Sequence, residues 1–98
     1  QEVRFTKADE FWLSPAYKRD TIWLSMYNMD THENWNNQLK NFEAWAIKNG
    51  GRPHWGKEAN INKEYLDKQY DKLPQFRNLL KQYDPDNKFL NEWNKHFL

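Results

Sequence analysis

The sequence has 98 residues, no cysteine and a formal net charge of +1, from 15 Lys+Arg against 14 Asp+Glu. A chain of this length supports one small domain with a modest core. Balanced charge removes the electrostatic footprint of nucleic-acid or anionic-membrane binding, and the lack of thiols excludes disulfide staples and thiolate metal sites.

In chain order, Glu2-Val3-Arg4-Phe5-Thr6 alternates polar and apolar residues, which predicts a half-buried strand with Val3 and Phe5 on one face and Glu2, Arg4 and Thr6 on the other. A carboxylate and a guanidinium two apart share a strand face and can fix each other's orientation, or they can form a surface ion pair of little energetic weight. The strand begins almost at Gln1, so the segment reads as a piece of a longer polypeptide. Residues 8–17 read as an irregular apolar connector, because Pro15 removes a ladder donor and pushes Ser14 toward an extended conformation. Thr21-Ile22-Trp23-Leu24-Ser25-Met26-Tyr27 predicts a second strand, with Ile22, Leu24 and Met26 on one face and Trp23, Ser25 and Tyr27 on the other. Both faces carry large side chains, so a central strand covered by helices is expected.

Asp30-Thr31-His32-Glu33 has the spacing of a capping box, after which Trp35, Leu39, Phe42 and Ala46 recur at helical spacing. Lys48-Asn49-Gly50-Gly51 supplies a basic last turn and a glycine stop. Gly50-Gly51-Arg52-Pro53-His54-Trp55-Gly56-Lys57 is then a shaped loop carrying two cations, a histidine and an indole. Such a turn either aims polar heads at an anionic or oxygen-rich group, or merely stops a helix while His54 and Trp55 fill the core. Beyond it, Asn62 is placed to cap a short helix carrying Tyr65, Leu66 and Tyr70. Pro74 suits a first helical turn ahead of Phe76, Leu79, Leu80 and Tyr83. Asp84-Pro85-Asp86-Asn87 is turn chemistry, followed by a last apolar face of Phe89, Leu90, Trp93 and Phe97.

Aromatic residues make up 17% of the chain while all of AVILMFWYC reach only 38%, so some rings are expected to meet a neighbouring domain or wall a ligand pocket. His32, His54 and His96 fall at no helical ligand spacing, and no resident metal is expected. No apolar run approaches the ~20 residues of a membrane span, so a soluble, cytoplasmic segment is expected.

Taken together, Glu2-Val3-Arg4-Phe5-Thr6, Leu13-Ser14-Pro15 with Arg19-Asp20, Gly50 to Lys57, and Asp84-Pro85 with Phe89-Leu90-Asn91 resemble the C-terminal end of the FAD-dependent sugar-lactone and polyol oxidases of the vanillyl-alcohol oxidase superfamily. That family includes L-gulonolactone, D-arabinono-1,4-lactone and alditol oxidases. The resemblance implies an α+β fold of antiparallel strands packed against amphipathic helices. It also implies that residues 1–98 form the C-terminal part of a substrate-binding cap domain, whose partner, the FAD-binding domain, lies outside this chain.

By the same resemblance, Glu2 and Arg4 match a Glu-x-Arg pair beside the flavin, and Lys57 matches the lysine of a His-Trp-Gly/Ala-Lys motif. Arg4 and Lys57 would polarise the substrate hydroxyl, Glu2 would hold Arg4 and bind a further hydroxyl, and His54 and Lys57 would adjoin the cofactor. Ser25 and Tyr27 match two substrate-facing positions at which the polyol oxidases carry histidine and threonine. This departure argues against a polyol, and Phe5-Thr6, the doubled glycine before Arg52 and Phe89-Leu90-Asn91 look closer to L-gulonolactone oxidase, so the resemblance implies a sugar 1,4-lactone. The isolated segment is expected to be inactive without FAD. The competing readings are a non-catalytic aromatic-rich carbohydrate-binding module and a helical protein-interaction domain.

Overall fold

The computed structural model describes residues 2–27, 34–60 and 62–98. The chain divides into two compact units, Gln1–Asn60 and Ile61–Leu98, where its length predicts a single domain. Among the described residues, three α-helices and a two-stranded antiparallel sheet make the fold α+β.

The first unit is built on a ribbon of β1 (Glu2–Thr6) and β2 (Thr21–Ser25). Antiparallel pairing sets Glu2 opposite Ser25, Val3 opposite Leu24, Arg4 opposite Trp23, Phe5 opposite Ile22 and Thr6 opposite Thr21. Because directly opposed residues point to the same face, Glu2, Arg4, Thr6, Trp23 and Ser25 share one side, and Val3, Phe5, Ile22 and Leu24 the other. The expectation of a central strand covered on both faces is not met. Among the described residues β2 has one neighbour, and Val3, Phe5 and Ile22 on the apolar side are 51%, 74% and 60% exposed.

The long connection between the strands is closed at its base by Asp20, which accepts from Lys7 Nζ and from the Ala8 backbone N–H, both at 2.9 Å. Further out, Asp9 accepts from the Ser14 hydroxyl, and the Ser14 oxygen in turn accepts from the Ala16 backbone N–H at 3.1 Å. Ala16 and Tyr17 are buried here, whereas Phe11 and Trp12, whose bulk the sequence expects to be covered, are exposed.

The capping box expected at Asp30 to Glu33 lies outside the described residues. Helix α1 (Trp35–Lys48) buries Leu39, half-buries Trp35, Phe42 and Ala46, and leaves Trp45 exposed, stacked beside Phe42. It ends in a Schellman motif: the Gly50 N–H donates to the Ile47 carbonyl and the Gly51 N–H to the Ala46 carbonyl, with Gly50 at φ 66°.

In the second unit, α2 (Lys63–Gln69) is capped as expected by the Asn62 side chain, which accepts from the Tyr65 N–H at 2.9 Å. Helix α3 (Leu73–Tyr83) starts with Pro74 in its first turn. Leu66 of α2, Tyr70 just after it and Leu73 of α3 are the fully buried large side chains, whereas Leu79 and Tyr83 of the predicted stripe are exposed. Asp84 closes the following turn by accepting from the backbone N–H groups of Lys88 and Phe89. The last apolar stretch folds as a short 3-10 turn, Asn94–His96, flanked by an edge-to-face contact of Trp93 with Phe97.

Candidate functional site

The polar side of the ribbon gathers four of the residues singled out in the sequence. The Arg4 Nε donates to Glu2 Oε1 at 2.6 Å, with Nη2 also at 2.5 Å from that oxygen. The other carboxylate oxygen, Oε2, accepts from the Tyr27 hydroxyl at 2.5 Å. Alternation along β1 produces the first contact, and the step from β2 into Met26 and Tyr27 produces the second. Glu2 is thereby held below the ordinary glutamate range, first by Tyr27 and then by Arg4, against a small opposing effect of burial. Tyr27 is pushed up, chiefly because ionising it would cost its bond to Glu2; a hydrogen bond from Ser25 acts in the opposite sense.

Charge on this cluster is wet rather than dry, since the Arg4 side chain is 71% exposed. Its Nη1 has no hydrogen-bond partner among the described residues. One guanidinium nitrogen therefore remains to receive a ligand oxygen, while the fork below it is fixed in direction by Glu2.

Residues 50–60 form an excursion tied down at several points. Arg19 Nη1 donates to the Gly50 carbonyl at 2.9 Å. Arg52 Nη1 reaches the carbonyls of Tyr17 at 2.9 Å and Pro15 at 3.2 Å, and the Trp55 indole N–H reaches the Leu13 carbonyl at 2.7 Å. At the far end, Glu43 of α1 accepts from the Asn60 backbone and side-chain nitrogens at 2.6 and 3.0 Å. Thus the Leu-Ser-Pro and Arg-Asp stretches and two of the loop's large polar heads are scaffold: they lock the connector and the loop to each other. Of the two loop cations, Arg52 is spent on backbone oxygens, and Lys57 is exposed with no partner for its ammonium among the described residues.

Within the loop, the Lys57 N–H donates to the His54 carbonyl at 3.1 Å, closing a turn. His54 Nδ1 accepts from the Gly56 N–H at 3.0 Å, so in the neutral ring the proton sits on Nε2. The imidazole meets the Trp23 indole edge-on, with ring centroids 6.4 Å apart and an interplanar angle of 64°. Trp23 stands directly opposite Arg4 on the ribbon, so its contact with His54 brings the loop to the side of the ribbon that bears Arg4.

Two residues at this face escaped the sequence reading. Trp23 donates its indole N–H to Thr6 Oγ1 at 2.9 Å, so the ring leans away from Glu2 toward the Thr6 end of the ribbon. Alternation already grouped Trp23 with Ser25 and Tyr27, and Thr6 with Arg4. The pairing register that unites the two groups has no local sequence signal. Among the described residues no cluster of three or more His, Asp or Glu could hold a metal, and no helix is long and apolar enough to cross a membrane.

The family model described as D-arabinono-1,4-lactone oxidase matches residues 1–97. The chain is 31% identical to L-gulonolactone oxidase of Scyliorhinus torazame over 98 residues, covering 94% of this chain and 22% of that protein. It is 32% identical to L-gulono-1,4-lactone dehydrogenase of Mycobacterium tuberculosis over 97 residues, covering 99% and 22%. It is 33% identical to alditol oxidase of a Streptomyces species over 97 residues, covering 99% and 23%. The chain therefore spans under a quarter of the length of these relatives. With the match running through both the ribbon and the His54–Lys57 turn, the chain belongs to the D-arabinono-1,4-lactone oxidase family.

Proposed function

We propose that this chain is the substrate-side segment of a longer FAD-dependent enzyme that oxidises a CH–OH group of a sugar 1,4-lactone. The FAD-binding domain lies in sequence outside the segment. The observation that carries the reading is the Glu2–Arg4–Tyr27 cluster, with the His54–Lys57 turn set beside the same ribbon face through Trp23. A guanidinium nitrogen and an ammonium with no other partner among the described residues suit a ligand that gathers negative charge as it reacts.

Arg4 and Lys57 polarise the substrate hydroxyl and stabilise the charge that develops on its oxygen as the proton leaves. The Arg4 fork, held in direction by Glu2, needs little reorganisation during reaction. Glu2 holds the Arg4 fork and accepts from a second substrate hydroxyl. Tyr27 takes one oxygen of Glu2, narrowing the room for further hydroxyls and favouring a ring-closed lactone over an open polyol. The donor set also fits an electron-rich cofactor edge, which the His54 Nε2–H and the Lys57 ammonium would face. FAD, when bound, supplies the acceptor for the hydride.

The test uses the full-length protein. Arg4→Ala and Lys57→Ala are each expected to keep FAD bound while slowing its bleaching by L-gulono-1,4-lactone or D-arabinono-1,4-lactone at least ~10²-fold. Parental rates in both variants overturn the assignment. Faster bleaching by an alditol than by either lactone overturns the substrate class.

A further inference from the structure

We propose that Trp23 is a positioning residue: through Thr6 on one side and His54 on the other, it braces the turn that carries Lys57 against the ribbon that carries Arg4. The proposal rests on the reading that Arg4 and Lys57 act on one substrate.

The connection is continuous. Thr6 and Arg4 lie on one strand and one face, and the Thr6 hydroxyl accepts the Trp23 indole N–H at 2.9 Å. This bond removes the freedom of the indole to swing along the ribbon. The same ring meets the His54 imidazole edge-on at 6.4 Å between centroids, and His54 is fixed in its own turn by the Gly56 N–H on Nδ1 and the Lys57 N–H on its carbonyl. Edge-to-face aromatic contact prefers one relative orientation, so the ring pair transmits direction as well as attraction.

The other anchors of the loop act elsewhere. Arg19, Arg52 and Trp55 tie it to the connector at residues 13–17 and not to a strand. Arg19 and Arg52 set where the loop begins and Trp55 ties the turn to the connector, whereas the Trp23 contact ties the turn to the ribbon. Both cations are exposed, so neither is held by surrounding packing, and the Lys57 ammonium has no partner among the described residues to aim it. Its backbone must therefore be placed for it. A misplacement of ~1 Å at a reacting group can cost on the order of 10²-fold in rate.

The experiment takes the full-length holoenzyme and measures three things: bleaching of bound FAD by L-gulono-1,4-lactone, the substrate dissociation constant, and the His54 ring resonance in 13C-histidine-labelled protein. Trp23→Ala is expected to slow bleaching by about ten- to a hundred-fold with the dissociation constant little changed. It is also expected to move the His54 resonance, by loss of the indole ring current. Trp23→Phe keeps a ring for His54 and recovers most of the rate. Thr6→Val slows bleaching less than Trp23→Ala, and Thr6→Ser, which keeps the hydroxyl, restores it. Added to Lys57→Ala, Trp23→Ala is expected to have little further effect.

A slow Lys57→Ala variant combined with parental bleaching in Trp23→Ala overturns the brace and leaves the lactone reading standing. Parental bleaching in Lys57→Ala alone overturns the brace, and parental bleaching in both Lys57→Ala and Arg4→Ala overturns the lactone reading with it. An unmoved His54 resonance in Trp23→Ala overturns the ring contact itself.

Discussion

Gly51 lies so close to Ala46 that a methyl group built on it would stand 2.9 Å from the Ala46 carbonyl oxygen and 3.1 Å from its Cβ. The same carbonyl accepts the Gly51 N–H at 2.7 Å, so the close approach is the hydrogen bond that ends α1. Gly51→Ala is expected to cost about 1–3 kcal/mol, since backbone rather than a flexible side chain must give way. Gly50→Ala, which forces φ 66° on a residue with a Cβ, is expected to cost about 1–2 kcal/mol. Urea denaturation of the full-length variants checks both, and unchanged midpoints contradict the crowding.

Arg52 and Arg19 hold the loop from opposite directions yet share the Pro15 carbonyl as acceptor. Arg52→Ala is expected to lose about 1–3 kcal/mol, because the Tyr17 and Pro15 carbonyls lose a charged donor in a half-buried setting. Hydrogen exchange at the Gly56 and Lys57 amides should quicken in either single variant. The double variant should fall short of the sum, as expected for residues with a common partner.

Tyr27→Phe is expected to shift the titration of the Glu2 carboxyl to higher pH. The sign follows from the depressed native value: the cluster is complete above the ordinary glutamate range and comes apart as pH falls through the lowered value of Glu2. Removing the hydroxyl deletes the first cause of that lowering and leaves Arg4, so the disassembly begins at less acidic pH. Carbon-detected NMR of labelled Glu2 reads the change, and an unmoved titration contradicts the arrangement.

In the second unit, Asp67 links α2 to α3 by accepting from Lys63 at 2.7 Å and from Arg77 at 2.6 Å. Burial pushes its carboxyl up, but the bonds from Lys63 and Arg77 outweigh it and leave the group below the ordinary aspartate range. Its contribution is therefore present above that range and lost as pH falls through the lowered value. Arg77, 15% exposed and also bonded to the Phe97 carbonyl, is then left with one partner fewer. Asp67→Asn should flatten the acid limb of a stability-against-pH curve; an equally steep limb contradicts this role.

Local chemistry made much of the fold legible. Alternation placed Glu2 and Arg4 on one face, the glycine pair marked the end of α1, and Asn62 and Pro74 marked two helix starts, because each signal acts over a few residues. The destinations of Arg19, Arg52 and Trp55 were not legible, for their bonds to backbone carbonyls span 31 to 42 residues and leave no periodicity. Leu73 was missed as a core residue because the predicted stripe starts after Pro74, although Leu73 stands three residues before Phe76 and seven before Leu80 on the same face. Alternation could sort Val3 with Phe5, and Ile22 with Leu24, without saying what, if anything, covers either pair. For the site, the Glu2–Arg4 pair could be read from one strand, but the Trp23 contact with His54 depends on pairing and loop placement together.

The ribbon makes the site a matter of parity. Five residues on each strand are enough to separate a charged surface from a greasy one, and a slip of one residue in the pairing exchanges them. A single-residue insertion between Thr6 and Thr21 that is absorbed by the connector leaves Arg4 where it is. The same insertion within β1, between Glu2 and Arg4, turns one of the two side chains to the reverse and abolishes their bond. Length variation ahead of Thr21 is thus harmless in the connector and ruinous within β1.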